Sequence, residues 1–209
     1  GYGVSLIKGE QCCGLPAIAN GMSEKARANG RHNIAAMERA LRDAECIVTT
    51  SSSCTFTMRS EYESLLRLDN SSVAESINLA TKFIYQQLKS GAAQLRFKPD
   101  FKLRVAYHSA CHMERLGWTI YSIELLKMIP GLELVKLESR CCGIGGTYGF
   151  KKENYDVSQS IGAPLFKQIS EVDPDVVVTD CETCKWQIEM STPYLVMNPI
   201  SIINDAILD

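Results

Sequence analysis

The sequence predicts an α/β fold with parallel sheets, and three observations point to it. Short apolar, β-branched runs alternate with longer stretches of helical period. The apolar runs carry no polar face, as strands do when a parallel sheet is covered on both sides. The pattern also occurs twice within the 209 residues, which suffice for one large domain or two small ones. The expected architecture is therefore a duplicated Rossmann-like domain, with cysteine-bearing loops at the carboxyl ends of its strands.

In chain order, Val4-Ser5-Leu6-Ile7 and Ile47-Val48 read as strands. Between them, 23–44 reads as a helix rich in Ala, Arg and Glu, with Ile34, Met37 and Leu41 on one side. A second helical stretch covers 73–90. Gly, Ala, Gln, Lys and Pro collect over 90–100, so a linker there would divide a first repeat, 1–95, from a second, 96–209. In the second repeat, Leu103-Val105-Ala106-Tyr107, Leu132-Leu134-Val135 and Val176-Val177-Val178 are the clearest strands. Leu116, Ile120, Ile123 and Leu126 recur at helical spacing until Pro130-Gly131 ends the run. Residues 152–171 and 185–190 read as further helices. Ile200, Ile203 and Ile207 form a short apolar stripe without flanking Lys or Arg, expected to face the core rather than a membrane.

The duplication is legible residue by residue. Leu6-Ile7-Lys8 leads into Cys12-Cys13-Gly14, as Leu134-Val135-Lys136 leads into Cys141-Cys142-Gly143. Ile47-Val48-Thr49-Thr50 leads to Ser51 and Cys54, as Val177-Val178-Thr179-Asp180 leads to Cys181 and Cys184. The offset is 129 at Cys12/Cys141 and 130 at Cys54/Cys184, so the copies keep register. The counterpart of Cys111 would lie ahead of Gly1, and the reading expects a longer protein of which this is an amino-terminally shortened form.

Composition limits the function. Hydrophobic content of 45% and charged content of 22% are globular values. A formal net charge of −2 gives no electrostatic reason to expect nucleic acid. No apolar run reaches the roughly 18 residues of a membrane span, and the start lacks a secretory pattern, so a cytosolic chain is expected. Nine cysteines then suggest metal or redox chemistry rather than disulfides. Two vicinal pairs, Cys12-Cys13 and Cys141-Cys142, strengthen that choice, because neighbours in sequence do not readily bridge to each other but can both face one large centre.

The second half supplies Cys111, Cys141, Cys142, Cys181 and Cys184, each element following an expected strand. In an open parallel sheet the loops after the strands share one edge. Three such loops can bring five thiolates, the soft ligands of iron–sulfur clusters, to one pocket. Gly143, Gly145 and Gly146 would let the backbone pass close to the cluster and offer it amide donors. His108 and His112 flank Cys111; they could tune the centre or simply end a strand and cap a helix. His32 is expected to be solvated and Cys46 to be an ordinary core thiol. A zinc site leaves Cys111 without a role, and a thioredoxin-like Cys181/Cys184 pair leaves three cysteines idle.

At Cys-(x29)-Cys-Cys-Gly-(x37)-Cys-x-x-Cys the chain resembles the cysteine-rich CCG domain family. That family includes the B-type subunits of heterodisulfide reductases and the iron–sulfur subunits of glycolate oxidase, lactate utilisation and succinate:quinone reductase. The loops Gln11-Cys12-Cys13-Gly14-Leu15-Pro16, Cys142-Gly143-Ile144-Gly145-Gly146-Thr147-Tyr148 and Asp180-Cys181-Glu182-Thr183-Cys184-Lys185-Trp186 are similar to those of the members that serve anaerobic glycerol-3-phosphate dehydrogenases.

The resemblance implies an electron-transfer subunit that partners flavin-containing glycerol-3-phosphate dehydrogenase subunits. It implies delivery of electrons toward menaquinone, and peripheral contact with the cytoplasmic face of the inner membrane. It also implies a [4Fe-4S] cluster of noncubane form on Cys111, Cys141, Cys142, Cys181 and Cys184. In the first repeat Ser51 stands where the first cysteine of CxxC belongs, so Cys12, Cys13 and Cys54 leave open a cubane cluster or none. Cluster-based thiol–disulfide or quinone reduction, and a zinc-stabilised docking module, are the alternatives of a different class.

Overall fold

In the computed structural model, which describes residues 2–208, contacts divide the chain between Ala80 and Thr81 into two compact units. The first opens with α1 (Leu15–Ala19) and α2 (Ser23–Ala40), followed by β1 (Ile47–Thr49) and α3 (Ser52–Phe56). A π-helical turn, Thr57–Glu61, joins α3 to α4 (Tyr62–Ser64). Then β2 (Ile77–Leu79) pairs with β1 in parallel, Ile47 opposite Ile77 and Thr49 opposite Leu79. Ala26, Ile34, Met37, Ile47, Tyr62 and Ile77 form the core of this unit.

Two expectations change here. The run 73–90 is not one helix: Ala74–Ser76 is a single 3-10 turn, Ile77-Asn78-Leu79 has a buried, half-buried, buried alternation and pairs as β2, and only α5 (Ala80–Lys89) is α-helical. Tertiary pairing overrides the helical reading, as it does for short apolar stretches. Val4-Ser5-Leu6-Ile7 forms no strand; Val4 is 89% and Leu6 87% exposed, and no neighbouring strand among the described residues offers them a ladder. An apolar run becomes a strand only where its N–H and C=O groups find partners.

The second unit is the fuller one. After α5 come β3 (Leu103–Tyr107), α6 (Cys111–Leu116), α7 (Thr119–Leu126) and β4 (Leu132–Lys136). They are followed by α8 (Tyr155–Val172), β5 (Val176–Val178), α9 (Glu182–Ser191), β6 (Val196–Met197) and α10 (Pro199–Ala206). The helical run expected after Cys111 breaks into α6 and α7 because Gly117 takes a left-handed conformation (φ 70°), which closes α6. The short β6 had no sequence signal of its own and exists by pairing with β5.

All four strands of this sheet are parallel, in the order β4-β3-β5-β6. The α/β fold with parallel sheets is thus observed. Val176, Val177 and Val178 are all buried, so the sheet is covered on both faces. One side packs Val105, Tyr107, Leu125, Leu126, Ile202 and Ile203 into a single cluster. Ile203 is buried, and Ile200 and Ile207 pack against the same cluster, so the final apolar stripe faces the core. The chain leaves β3 for β4 on one side and then crosses to β5 on the other. The carboxyl ends of β3 and β5 therefore flank a topological switch point, where open α/β sheets bind their ligands. No helix of the described residues is long and apolar enough to cross a membrane.

Because Leu126 is fully buried while Ile120 on the same helix is 52% exposed, truncating them should have unequal effects. Leu126→Ala should lower unfolding stability by about 2–5 kcal/mol, and Ile120→Ala by about 0.5 kcal/mol or less, in urea titrations followed by circular dichroism. Equal losses would contradict the packing of α7.

Candidate metal centre

Three loops of the second unit leave the same sheet edge carrying cysteine. Cys111 is the first residue of α6, held by an extended Ala110 (φ −65°, ψ 148°). Cys141 and Cys142 lie in the loop after β4, and Cys181 is the residue that caps α9, with Cys184 in its first turn. The Sγ atoms of Cys142 and Cys184 are 3.2 Å apart. A ring nitrogen of His108 and these two sulfurs all lie within 4.8 Å of one another, and all three residues are buried.

The electrostatics tie the other thiols to this pair. Burial pushes the Cys111 thiol up, and the charges of Cys181 and Cys142 push it further. Cys142 is held far below the ordinary thiol range, chiefly by hydrogen bonds from Cys141 and Cys184. Those two are raised correspondingly, each mainly by its bond to Cys142.

Main-chain amides add to this. Gly143 N–H donates to Cys141 Sγ at 3.3 Å. The Ile144 amide supports Cys142, and that of His112 supports Cys111. The two histidines therefore divide: His112 reaches the site through its backbone, His108 through its ring. Gly145 and Gly146 take left-handed backbone (φ 55° and 70°) and turn the chain, with Tyr148 N–H returning to Gly145 O at 3.1 Å.

Gly143 has a requirement of its own. Its φ is 92°, and a Cβ there would meet Ser158 O at 2.0 Å. Ser158 Oγ donates to Gly143 O at 3.0 Å and accepts from Gln187 Nε2 at 3.0 Å, joining α8, the vicinal-cysteine loop and α9. Immediately before Cys181 in the chain, buried Asp180 accepts from Tyr107 Oη at 2.7 Å and Ser122 Oγ at 2.9 Å. Burial raises this carboxyl to about 6 against the pull of those donors. Sequence reading gave Ser158, Gln187, Tyr107 and Asp180 no role. The one signal available was a carboxylate two residues past an apolar strand and immediately before a cysteine.

The first unit gathers its own three cysteines. The Cys13 thiol is raised mainly by its hydrogen bond with Cys54, and Tyr62 beside them is raised by burial and by the charges of Cys13, Cys54 and Cys12. Asn33 of α2 clamps the loop, accepting from Gln11 N–H at 2.8 Å and donating to Gln11 O at 3.0 Å and Tyr62 Oη at 3.2 Å. Gly14 (φ 96°) and Ser51 (φ −116°, ψ 121°) repeat the backbone of Gly143 and of Cys181 (φ −129°, ψ 116°). Ser51 thus occupies a position shaped like that of a CxxC cysteine, with no sulfur. His32 is exposed, with a ring nitrogen 2.6 Å from Gly9 O; Cys46 is only partly buried and stands apart from these groups.

The donor set suits a metal–sulfur group. Cys142 and Cys184 are in sulfur contact, Cys141 and Cys181 hydrogen-bond with them, and Cys111 feels the charges of Cys181 and Cys142. Gly143 permits a close main-chain approach, and the buried His108 ring faces these sulfurs without a hydrogen bond of ordinary geometry. Thiolates at this density match the preference of iron–sulfur clusters. A tetrahedral zinc ion could use His108, Cys142 and Cys184, but its four places do not employ all five thiols.

Comparison with known proteins gives the same direction. The CCG family model, described as a cysteine-rich domain, matches residues 2–59 and 105–189. The C subunit of anaerobic glycerol-3-phosphate dehydrogenase from Escherichia coli (strain K12) is 51% identical over 208 residues, covering 99% of this chain and 52% of that protein. An uncharacterised iron–sulfur protein of Methanocaldococcus jannaschii is 31% identical over 194 residues, 91% of this chain and 36% of its own length. Lactate utilization protein A of Geobacillus sp. (strain WCH70) is 32% identical over 191 residues, 87% of this chain and 76% of that protein. The chain spans about half the length of the glycerol-3-phosphate dehydrogenase relatives it matches.

The approach of Ser158 to Gly143 makes a direct prediction. Gly143→Ala should destabilise the second unit by more than about 1 kcal/mol and expose the vicinal thiols to alkylating reagents. Unchanged stability and unchanged thiol reactivity would contradict the close approach.

Proposed function

This chain belongs to the cysteine-rich CCG domain family, and we propose that it carries electrons in an anaerobic glycerol-3-phosphate dehydrogenase. In this reading it accepts them from flavin-containing dehydrogenase subunits and passes them toward menaquinone. Peripheral contact with the cytoplasmic face of the inner membrane, made through the complex, belongs to the same proposal. The observation that supports it most is the convergence of five thiols from three strand-end loops, in a chain 51% identical to a subunit of such an enzyme.

Cys111, Cys141, Cys142, Cys181 and Cys184 would hold a [4Fe-4S] group of noncubane form. When bound, such a group supplies reversible one-electron carriage. The protein's contribution is the surroundings. The amides of Gly143, Ile144 and His112 point at sulfur and favour its negative charge. Asp180, fixed by Tyr107 and Ser122, holds the start of the Cys181 loop against β3 and α7. Cys142, Cys181 and Cys184 are buried, which keeps water from their sulfurs, whereas Cys111 and Cys141 are exposed and leave one side open to a donor or acceptor.

The electron-carrying role is proposed for the second unit because it carries the complete five-cysteine motif, while Cys12, Cys13 and Cys54 are the candidate ligands of the first. The 3.2 Å separation of Cys142 and Cys184 favours a second reading, dithiol chemistry at that pair, which leaves Cys111, Cys141 and Cys181 without a task.

The test uses the full-length protein isolated anaerobically with its flavin-containing partners. Glycerol 3-phosphate should bleach its visible absorption only when those partners are present, and Cys184→Ser should abolish the response. Disulfide turnover without the flavin subunits, or bleaching that survives Cys184→Ser, would contradict the proposal.

A further inference from the structure

His108 and His112 differ in their geometry, and the difference singles out a further group of the site. His108 is 1% exposed, and neither Nδ1 nor Nε2 makes a hydrogen bond of ordinary geometry. Its main chain is fixed, its N–H donating to Val178 O at 2.9 Å, so the ring is set at the end of β3 beside β5. A ring nitrogen lies within 4.8 Å of both Cys142 Sγ and Cys184 Sγ. Burying an imidazole with both nitrogens unsatisfied is costly, and such groups are normally partnered in native proteins. The groups that face this ring are sulfurs, and the ring already favours the Cys142 thiolate although no bond of ordinary geometry is formed.

We propose that His108 donates a hydrogen bond from its ring N–H to a sulfur of the metal–sulfur group, and thereby raises that group's reduction potential. This rests on the iron–sulfur reading above and adds a specific residue to it. Two buried sulfurs face the ring, so an N–H aimed into the pocket has sulfur as its acceptor. Five thiols already provide the ligands, which leaves the imidazole the role of a donor rather than a ligand. Hydrogen bonds to cluster sulfur withdraw electron density and favour the reduced state. His112, reaching Cys111 through its amide, is given no such role for its ring.

The experiment labels histidine with ¹⁵N in the anaerobically isolated full-length protein and records pulsed EPR, iron content and midpoint potential on the same samples. The expected result is a weak nitrogen coupling that disappears in His108→Leu, with iron retained and a lower potential. His108→Gln, which keeps an N–H donor, should recover part of that potential. A strong coupling from directly bound nitrogen would overturn the assignment. So would no nitrogen coupling in the unmodified protein, a measurement that does not depend on a variant folding. An unchanged potential in iron-loaded His108→Leu would also overturn it. Absence of iron from the unmodified protein would instead sink the iron–sulfur reading and this inference with it, and the metal assay separates the two failures.

Discussion

The parallel pairing of β3 with β4 on one side and β5 on the other governs the second unit. Register along β3 runs Val105 opposite Leu134 and Val176, and Tyr107 opposite Lys136 and Val178, so all three strands end at one level. Cys111, the vicinal pair and the CxxC loop are each a few residues beyond those ends. Parallel strands require crossover helices, and those helices need a strand buried on both faces to pack upon. The valines of β5 and the packing of α7 and α10 are thus conditions for the site as well as for the core. A slip of one residue in β5 would turn Cys181 away from Cys111.

The arrangement that results is electrostatically unfavourable by itself. The thiols crowd together, and the hydrogen bonds from Cys141 and Cys184 lower Cys142 while raising those two. Amides at Gly143, Ile144 and His112 supply partial positive charge, and the His108 ring adds to the groups that favour the Cys142 thiolate. A cationic metal group removes the conflict, because it allows all five sulfurs to ionise. Asp180 sharpens the point: a buried carboxylate beside Cys181 adds negative charge, and three hydroxyl-bearing neighbours, Tyr107, Ser122 and Thr81, are what hold it there.

Much of this was legible in the sequence because the signals were local. Strands such as Val176-Val177-Val178 and loops such as Cys141-Cys142-Gly143 announce themselves by residue type. The failures were of pairing and depth. Ile77-Asn78-Leu79 reads equally well as helix until β1 is beside it, and Val4-Ser5-Leu6-Ile7 reads as a strand although no neighbour among the described residues pairs with it. The supporting groups were missed for a different reason. Ser158, Gln187 and Ser122 are ordinary polar residues on helices, and only three-dimensional packing brings them beneath a glycine or a carboxylate. His108 and His112 were indistinguishable by spacing, and burial alone separates them.

The central claim is that the second unit holds an iron–sulfur group on its own thiols. The most direct measurement is iron, zinc and acid-labile sulfide per chain in anaerobically purified full-length protein, compared between two sets of cysteine-to-serine variants. The account predicts that iron and sulfide of the second unit persist when Cys12, Cys13 and Cys54 are replaced, and fall when Cys142 and Cys184 are replaced. Stoichiometric zinc without sulfide, or iron that is indifferent to Cys142 and Cys184, would contradict it.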